Sequence, residues 1–110
     1  MNTRNRKKAA KRSPDYKNDL LSDLRKDKGY AAMYLSAALK DSPEAFLVAL
    51  RDVAEAHQGM GRLAKVARVN RENLYRLLSE KGNPRLSTLI PVLEALDLSI
   101  VVEANGVTES

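Results

Sequence analysis

Between Met60 and Ser79 the chain runs Leu63-Ala64-Lys65-Val66-Ala67-Arg68-Val69-Asn70-Arg71-Glu72-Asn73-Leu74-Tyr75-Arg76-Leu77-Leu78, a pattern compatible with few arrangements. It predicts two short helices meeting at a tight turn, the layout of a helix-turn-helix that reads DNA. Leu63, Ala64 and Ala67 put apolar and small groups on one side of the first helix, and the two alanines let a second helix approach closely. Val69 plugs the turn. Asn70 suits the N-cap of the second helix, in which Leu74, Leu77 and Leu78 fall at i, i+3, i+4 as an inward stripe.

Rotating that second helix by 100° per residue about Leu74 turns Glu72, Asn73, Arg76 and Ser79 away from the core. Arg71 lies nearer the core edge, but in the first turn its long side chain can swing forward past the helix end. Arginine matches guanine O6 and N7, asparagine matches adenine N6 and N7, and glutamate accepts from cytosine N4. The competing reading is an ordinary solvent-exposed Glu72–Arg76 pair at i, i+4, contributing about 0.2–0.5 kcal/mol and nothing functional.

The net charge of +5 matters through its distribution. Residues 1–14 carry Arg4, Arg6, Lys7, Lys8, Lys11 and Arg12 without an acid. Arg62, Lys65, Arg68, Arg71, Arg76, Lys81 and Arg85 face only Glu72 and Glu80 within 62–85, whereas 13–61 and 86–110 are net acidic. Cations gathered on a tail and on one module suit phosphate binding. The tail is too polar to build a core and is expected to be disordered. It either orders along phosphates or a minor groove, or stays a solvated extension that attracts any polyanion.

With 110 residues the chain is expected to form one domain, and with no cysteine it has no disulfide, thiolate zinc site or cysteine nucleophile. No long apolar run or signal-peptide core is present, so a soluble cytoplasmic protein without membrane association is expected. An enzyme is not expected, and neither a cofactor nor a metal. His57 follows Phe46 by eleven residues on one helical face and reads as a core-edge residue rather than a general base. Asp15, Asp19, Asp23 and Asp27 recur every four residues, but Lys17, Arg25, Lys26 and Lys28 beside them indicate a solvated helix face.

The remaining chain reads as a helical bundle. Helices are expected over Tyr16–Arg25 with Leu20, Leu21 and Leu24, and, after an interruption at Lys28-Gly29, over Tyr30–Lys40 with Ala31, Leu35, Ala38 and Leu39 inward. Ser42-Pro43 starts another, burying Phe46, Ala49, Leu50, Val53 and Ala54 and stopping at Gln58-Gly59. Gly82-Asn83-Pro84 forces a turn before a last helix whose stripe is Leu86, Leu89, Ile90, Leu93 and Leu96. Pro91 inside it implies a bend or an irregular first turn. Leu98, Ile100 and Val102 alternate with Ser99, Val101 and Glu103 as in a strand. A lone strand leaves backbone groups unpaired. It either pairs across a dimer or with another protein, or lies as a short extended tail on the bundle. The domain plan is therefore a basic tail over 1–14, a helical domain with a C-terminal strand over 15–104, and a flexible 105–110.

These residues also carry a family resemblance. Leu63-Ala64-Lys65-Val66-Ala67-Arg68-Val69-Asn70, then Arg71-Glu72-Asn73-Leu74-Tyr75, then Gly82-Asn83-Pro84 and the Leu98–Glu103 run resemble the addiction-module antidote proteins. These are Xre-type helix-turn-helix relatives of lambda repressor grouped with HigA-like antitoxins. The likeness spans roughly 28–104. Two positions depart from the usual pattern. Arg68 stands where a turn glycine is usual, at a cost on the order of 1 kcal/mol if the position is left-handed, and Asn70 replaces an equally good capping serine.

The resemblance implies an all-α fold, a bundle of five to six helices of the lambda-repressor-like type, with a helix-turn-helix and a short C-terminal β-strand. It implies a homodimer that represses its own operon at a palindromic site on double-stranded DNA and neutralises a cognate RelE- or HigB-like toxin. Carried onto this chain, base readout falls to Arg71, Glu72, Asn73 and Arg76. Phosphate positioning falls to the amides of the helix opened by Met60-Gly61-Arg62, to Lys65, and to Lys81 and Arg85. Arg68 adds a cation near the phosphates, and Ser79 completes the outward face. Tyr75 either reaches a phosphate or packs, and dimerisation would rest on Leu98, Ile100 and Val102. A stand-alone repressor and a protein-interaction module that keeps the fold as scaffold are the alternative classes.

Overall fold

The computed structural model describes residues 14–57 and 59–106, so the basic tail, apart from Pro14, and residues 107–110 lie outside the described residues. The chain is all-helical there: α1 Pro14–Lys26, α2 Lys28–Asp41, α3 Pro43–His57, α4 Met60–Ala67, α5 Arg71–Leu77 and α6 Leu86–Ala95. Local chemistry sets several boundaries. Asp27 caps α2 by accepting from Tyr30 N–H at 3.1 Å, so the break falls at Asp27 and Gly29 lies inside α2, one step from the expected Lys28-Gly29 interruption. Ser42 Oγ accepts from Ala45 N–H at 2.9 Å, with Pro43 next, where no N–H is missed.

α3 packs on α1 and α2, α4 packs on α5 and α6, and α3 meets α4. One contiguous core runs from Leu24 to Leu96, centred on Leu50, Val53, Leu63, Leu74, Leu78 and Val92, and no polar side chain is buried among the described residues. His57 is half-buried at the core edge, and its Nε2 donates to the Leu24 carbonyl at 3.0 Å, satisfying an acceptor in the last turn of α1. Lys17 bridges Asp52 (3.7 Å) and Glu55 (3.4 Å), tying α1 to α3. Tyr34 donates its hydroxyl to Asp52 at 2.7 Å, tying in α2. Burial first, then the Asp52 contact, pushes the Tyr34 phenol well above its usual pKa, so it stays a donor throughout the physiological range.

Three expected stripes are shifted. In α3 Leu47 is buried and Phe46 half-buried, and in α2 Leu39 stays exposed. In α6 Leu86 is 64% exposed and Ile90 also exposed, while Val92 joins Leu93 in the core. Thr88 and Leu89 N–H groups share the Arg85 carbonyl at 2.9 and 3.0 Å, an irregular opening turn ahead of Pro91, and the helix continues through the proline to Ala95.

The expected C-terminal β-strand is absent: no strand is found among the described residues. α6 instead closes after its C-cap Leu96 with Asp97 in the left-handed region (φ 65), and Leu98 N–H bonds Leu93 O at 2.8 Å. Leu98 packs half-buried against the core, whereas Ile100, Val101 and Val102 are exposed. A strand exists only through ladder bonds to a neighbour, and among the described residues no second strand is present to supply them.

Candidate nucleic-acid interface

The turn between α4 and α5 is built by three residues with distinct tasks. Arg68 takes the left-handed conformation (φ 62, ψ 40), its N–H reaching Lys65 O at 3.2 Å while Val69 N–H reaches Ala64 O at 3.0 Å. That is the paired bonding with which helices close before a left-handed residue. Val69 is half-buried against the core, and Asn70 Oδ1 accepts from Asn73 N–H at 2.7 Å, which starts α5. Leu74 is the fully buried anchor of α5, with Leu78 just beyond its end, whereas Leu77 is only half-buried.

A β-carbon-bearing residue at a left-handed position costs about 1–2 kcal/mol, part of which glycine returns as unfolded-chain entropy. Arg68→Gly is therefore expected to raise the unfolding free energy by about 0.5–1 kcal/mol in urea titration. A loss of stability would show that the Arg68 side chain holds the turn in a way its exposure does not reveal.

Arg71, Glu72 and Arg76 are exposed and Asn73 and Ser79 half-exposed, so α5 presents the polar flank expected of it. Its side chains are already organised. Arg76 donates to Asn73 Oδ1, and Ser79 Oγ donates to the Arg76 carbonyl at 2.6 Å. No Glu72–Arg76 ion pair forms among the described residues; Arg76 pairs with Asn73 instead. Arg71 does not project past the helix start: its guanidinium carbon lies 5.8 Å from the centre of the Tyr75 ring. Tyr75 is half-buried and packed on the core.

Lys65, Arg68, Lys81 and Arg85 are exposed as expected. Among the described residues the ion pairs are confined to Lys17, Lys28 and Arg51 with Asp52, Glu55 and Asp97. Lys28 holds the exposed Asp97 carboxyl below the usual carboxylate range, mainly by hydrogen bonding. Among the described residues, therefore, no carboxylate lies within ion-pair distance of any of the seven cations from Arg62 to Arg85, the segment that contains α5.

Arg51 is the residue sequence reasoning missed. It comes from α3, yet its guanidinium carbon lies 5.1 Å from the centre of the Tyr75 ring, and its Nε sits 3.6 Å from Glu55 Oε2. Its one signal in the sequence is the i, i+4 spacing to Glu55, and nothing local says that α3 passes beside α5. The proposed dimerisation residues do not form one surface of equal exposure, since Leu98 is half-buried while Ile100 and Val102 are free. No group of metal-ligating side chains occurs among the described residues. No described helix is long and apolar enough to cross a membrane.

Residues 16–104 match a protein family described as "Probable addiction module antidote protein". An uncharacterized protein of Haemophilus influenzae is 40% identical over 72 residues, covering 64% of this chain and 73% of that protein. No solved structure matches the chain significantly.

Proposed function

Since this chain belongs to the family of probable addiction module antidote proteins, we propose that it is the antitoxin of a type II toxin–antitoxin module. In this reading it represses its own operon by sequence-specific DNA binding and neutralises a RelE- or HigB-like toxin. It acts in the cytoplasm by binding alone, without catalysis or cofactor. The observation that carries the DNA half is the set of unneutralised cations around α5, whose exposed flank bears Arg71, Glu72, Asn73 and Arg76. Phosphate contacts from Lys65, Arg68, Lys81 and Arg85 would position the helix, and base edges would be read from α5.

The test is a fluorescence-anisotropy titration of a duplex from the chain's own upstream region against a scrambled duplex, over a salt series. The upstream duplex is expected to bind more tightly, with log Kd rising by about 0.9 per phosphate contact for each tenfold rise in salt. Asn73→Ala and Arg76→Ala should each remove ~1–3 kcal/mol of discrimination. Because the two side chains are bonded to each other, the double variant should cost less than the sum of the singles. Unchanged discrimination in both singles rejects α5 as the reading helix.

A palindromic site needs two copies. The exposed apolar run Ile100-Val101-Val102, 51%, 74% and 90% accessible, is suited to pair with its equivalent across a two-fold axis, with Leu98 anchoring it to the core. Ile100→Pro, which removes a backbone donor there, is expected to yield monomers in sedimentation velocity and weaker operator binding. A dimer that persists in that variant moves the interface elsewhere.

A further inference from the structure

We propose that Arg51, on α3, is a positioning residue for base readout: through the Tyr75 ring it fixes the direction of Arg71. The inference rests on the DNA-binding reading above but names a device outside the two helices that reading uses. Two guanidinium groups lie over one aromatic ring, Arg51 at 5.1 Å and Arg71 at 5.8 Å from its centre. Each is attracted to the ring's electron-rich face, yet two cations sharing a ring repel each other. Glu55 resolves the conflict. Its Oε2 lies 3.6 Å from Arg51 Nε, and its Oε1 is held 3.4 Å from Lys17 Nζ.

One of the two guanidinium charges is thus compensated on the α3 side, which leaves Arg71 as the uncompensated cation of the stack. The hierarchy of order follows from burial. The Glu55 side chain is 24% exposed and bridged by two cations, the Arg51 side chain is 42% exposed and bound to Glu55, and Tyr75 is wedged against the core. Arg71 is the exposed member of this set, so what orders it before any partner arrives is the ring, and what steadies the ring on its α3 side is Arg51. A side chain ordered in advance loses less freedom on binding, and a guanidinium held in one direction offers bidentate geometry to one base rather than to several.

The experiment uses the full chain and the variants Arg51→Ala, Arg71→Ala and their double, with two readouts. In wild type the Arg71 δ-methylene proton resonances are expected to be shifted upfield by the Tyr75 ring and to move toward random-coil values in Arg51→Ala. In anisotropy, Arg51→Ala should narrow the ratio of operator to scrambled affinity about two- to fivefold, the range of an exposed cation–π contact, and should narrow it no further when Arg71 is already alanine. Arg51 is half-exposed and lies outside the buried core, so its variant tests geometry rather than folding.

Two results overturn the proposal. One is Arg71 resonances that stay in place in Arg51→Ala. The other is an equal loss of affinity for both duplexes with a salt slope about 0.9 shallower, which makes Arg51 a plain phosphate contact. If wild type discriminates between no duplexes, the DNA-binding reading itself fails, and the Arg71 resonances alone decide whether Arg51 orders that side chain.

Discussion

Replacing Gly82 by alanine is expected to destabilise the protein by ~3 kcal/mol or more, at the upper end of what overpacking costs, and to lower its melting temperature by roughly 10–20 °C. The reason is space and not backbone conformation, because Gly82 has no left-handed φ. A β-carbon there would stand 1.9 Å from the Leu77 carbonyl oxygen, 2.5 Å from its carbon and 2.9 Å from the Arg76 carbonyl oxygen. All three are backbone atoms at the end of α5, so none can move aside as a flexible side chain would. Gly82 N–H also bonds Ser79 O at 2.9 Å, fixing how closely the loop folds back. Relief of the clash must come from displacing the end of α5 or the path toward α6, and operator affinity should fall with stability. Gly61→Ala serves as the control in the same thermal melts, since an added β-carbon there meets nothing within 4 Å. A Gly82→Ala variant that melts within a few degrees of wild type would falsify the close approach.

Leu63→Ala is expected to cost ~3–5 kcal/mol, the upper part of the range for truncating a buried leucine. Leu63 is fully buried in α4, the helix that contacts α3, α5 and α6, so the walls of the resulting cavity belong to separate elements held by their own contacts. Such a site collapses poorly. Alanine is at least as good a helix former as leucine, so propensity does not confuse the reading. Urea unfolding should show a lower midpoint with an unchanged slope, since the surface exposed on unfolding is nearly the same. Against a typical total of about 5–15 kcal/mol, the loss leaves a marginal domain. A cost near 1 kcal/mol would mean that α4 is not the keystone between the two halves.

What could be read from the residues was what short-range chemistry decides. Ser42-Pro43 and Asn70 act as caps within three residues of themselves, and both do so in the structure. The turn at Arg68 is equally local. Asp27 was legible in principle, a capping carboxylate at the start of a helix, but its place in the run of aspartates drew the boundary toward Lys28-Gly29. Faces were harder. α3 offers Phe46 and Leu47 side by side, and periodicity alone does not say which points inward; the position of α2 does. In α6, Leu86 and Ile90 fit a stripe as well as Val92 does, and the choice is made by where α4 lies.

The strand was illegible for a different reason, because alternation describes a segment's capacity and pairing requires a neighbour. At the candidate interface, the outward residues of α5 followed from rotation about Leu74. The contacts among them did not: Arg76 turns to Asn73, and Arg71 folds back over a ring shared with Arg51 from a helix some twenty positions earlier.

Charge is uneven along the fold: the α1 to α3 stretch is net acidic, whereas residues 62–85 are net basic. Around α1 to α3, Lys17 and Arg51 are matched to acids, and Asp15, Asp19 and Asp23 stand exposed on α1. Among the described residues no ion pair forms from α4 to the start of α6. In the proposed DNA complex such an asymmetry would turn α5 toward the duplex before contact. Ionic strength acts chiefly on that approach, because over the roughly 8 Å screening length of physiological salt the orienting field fades while close contacts persist.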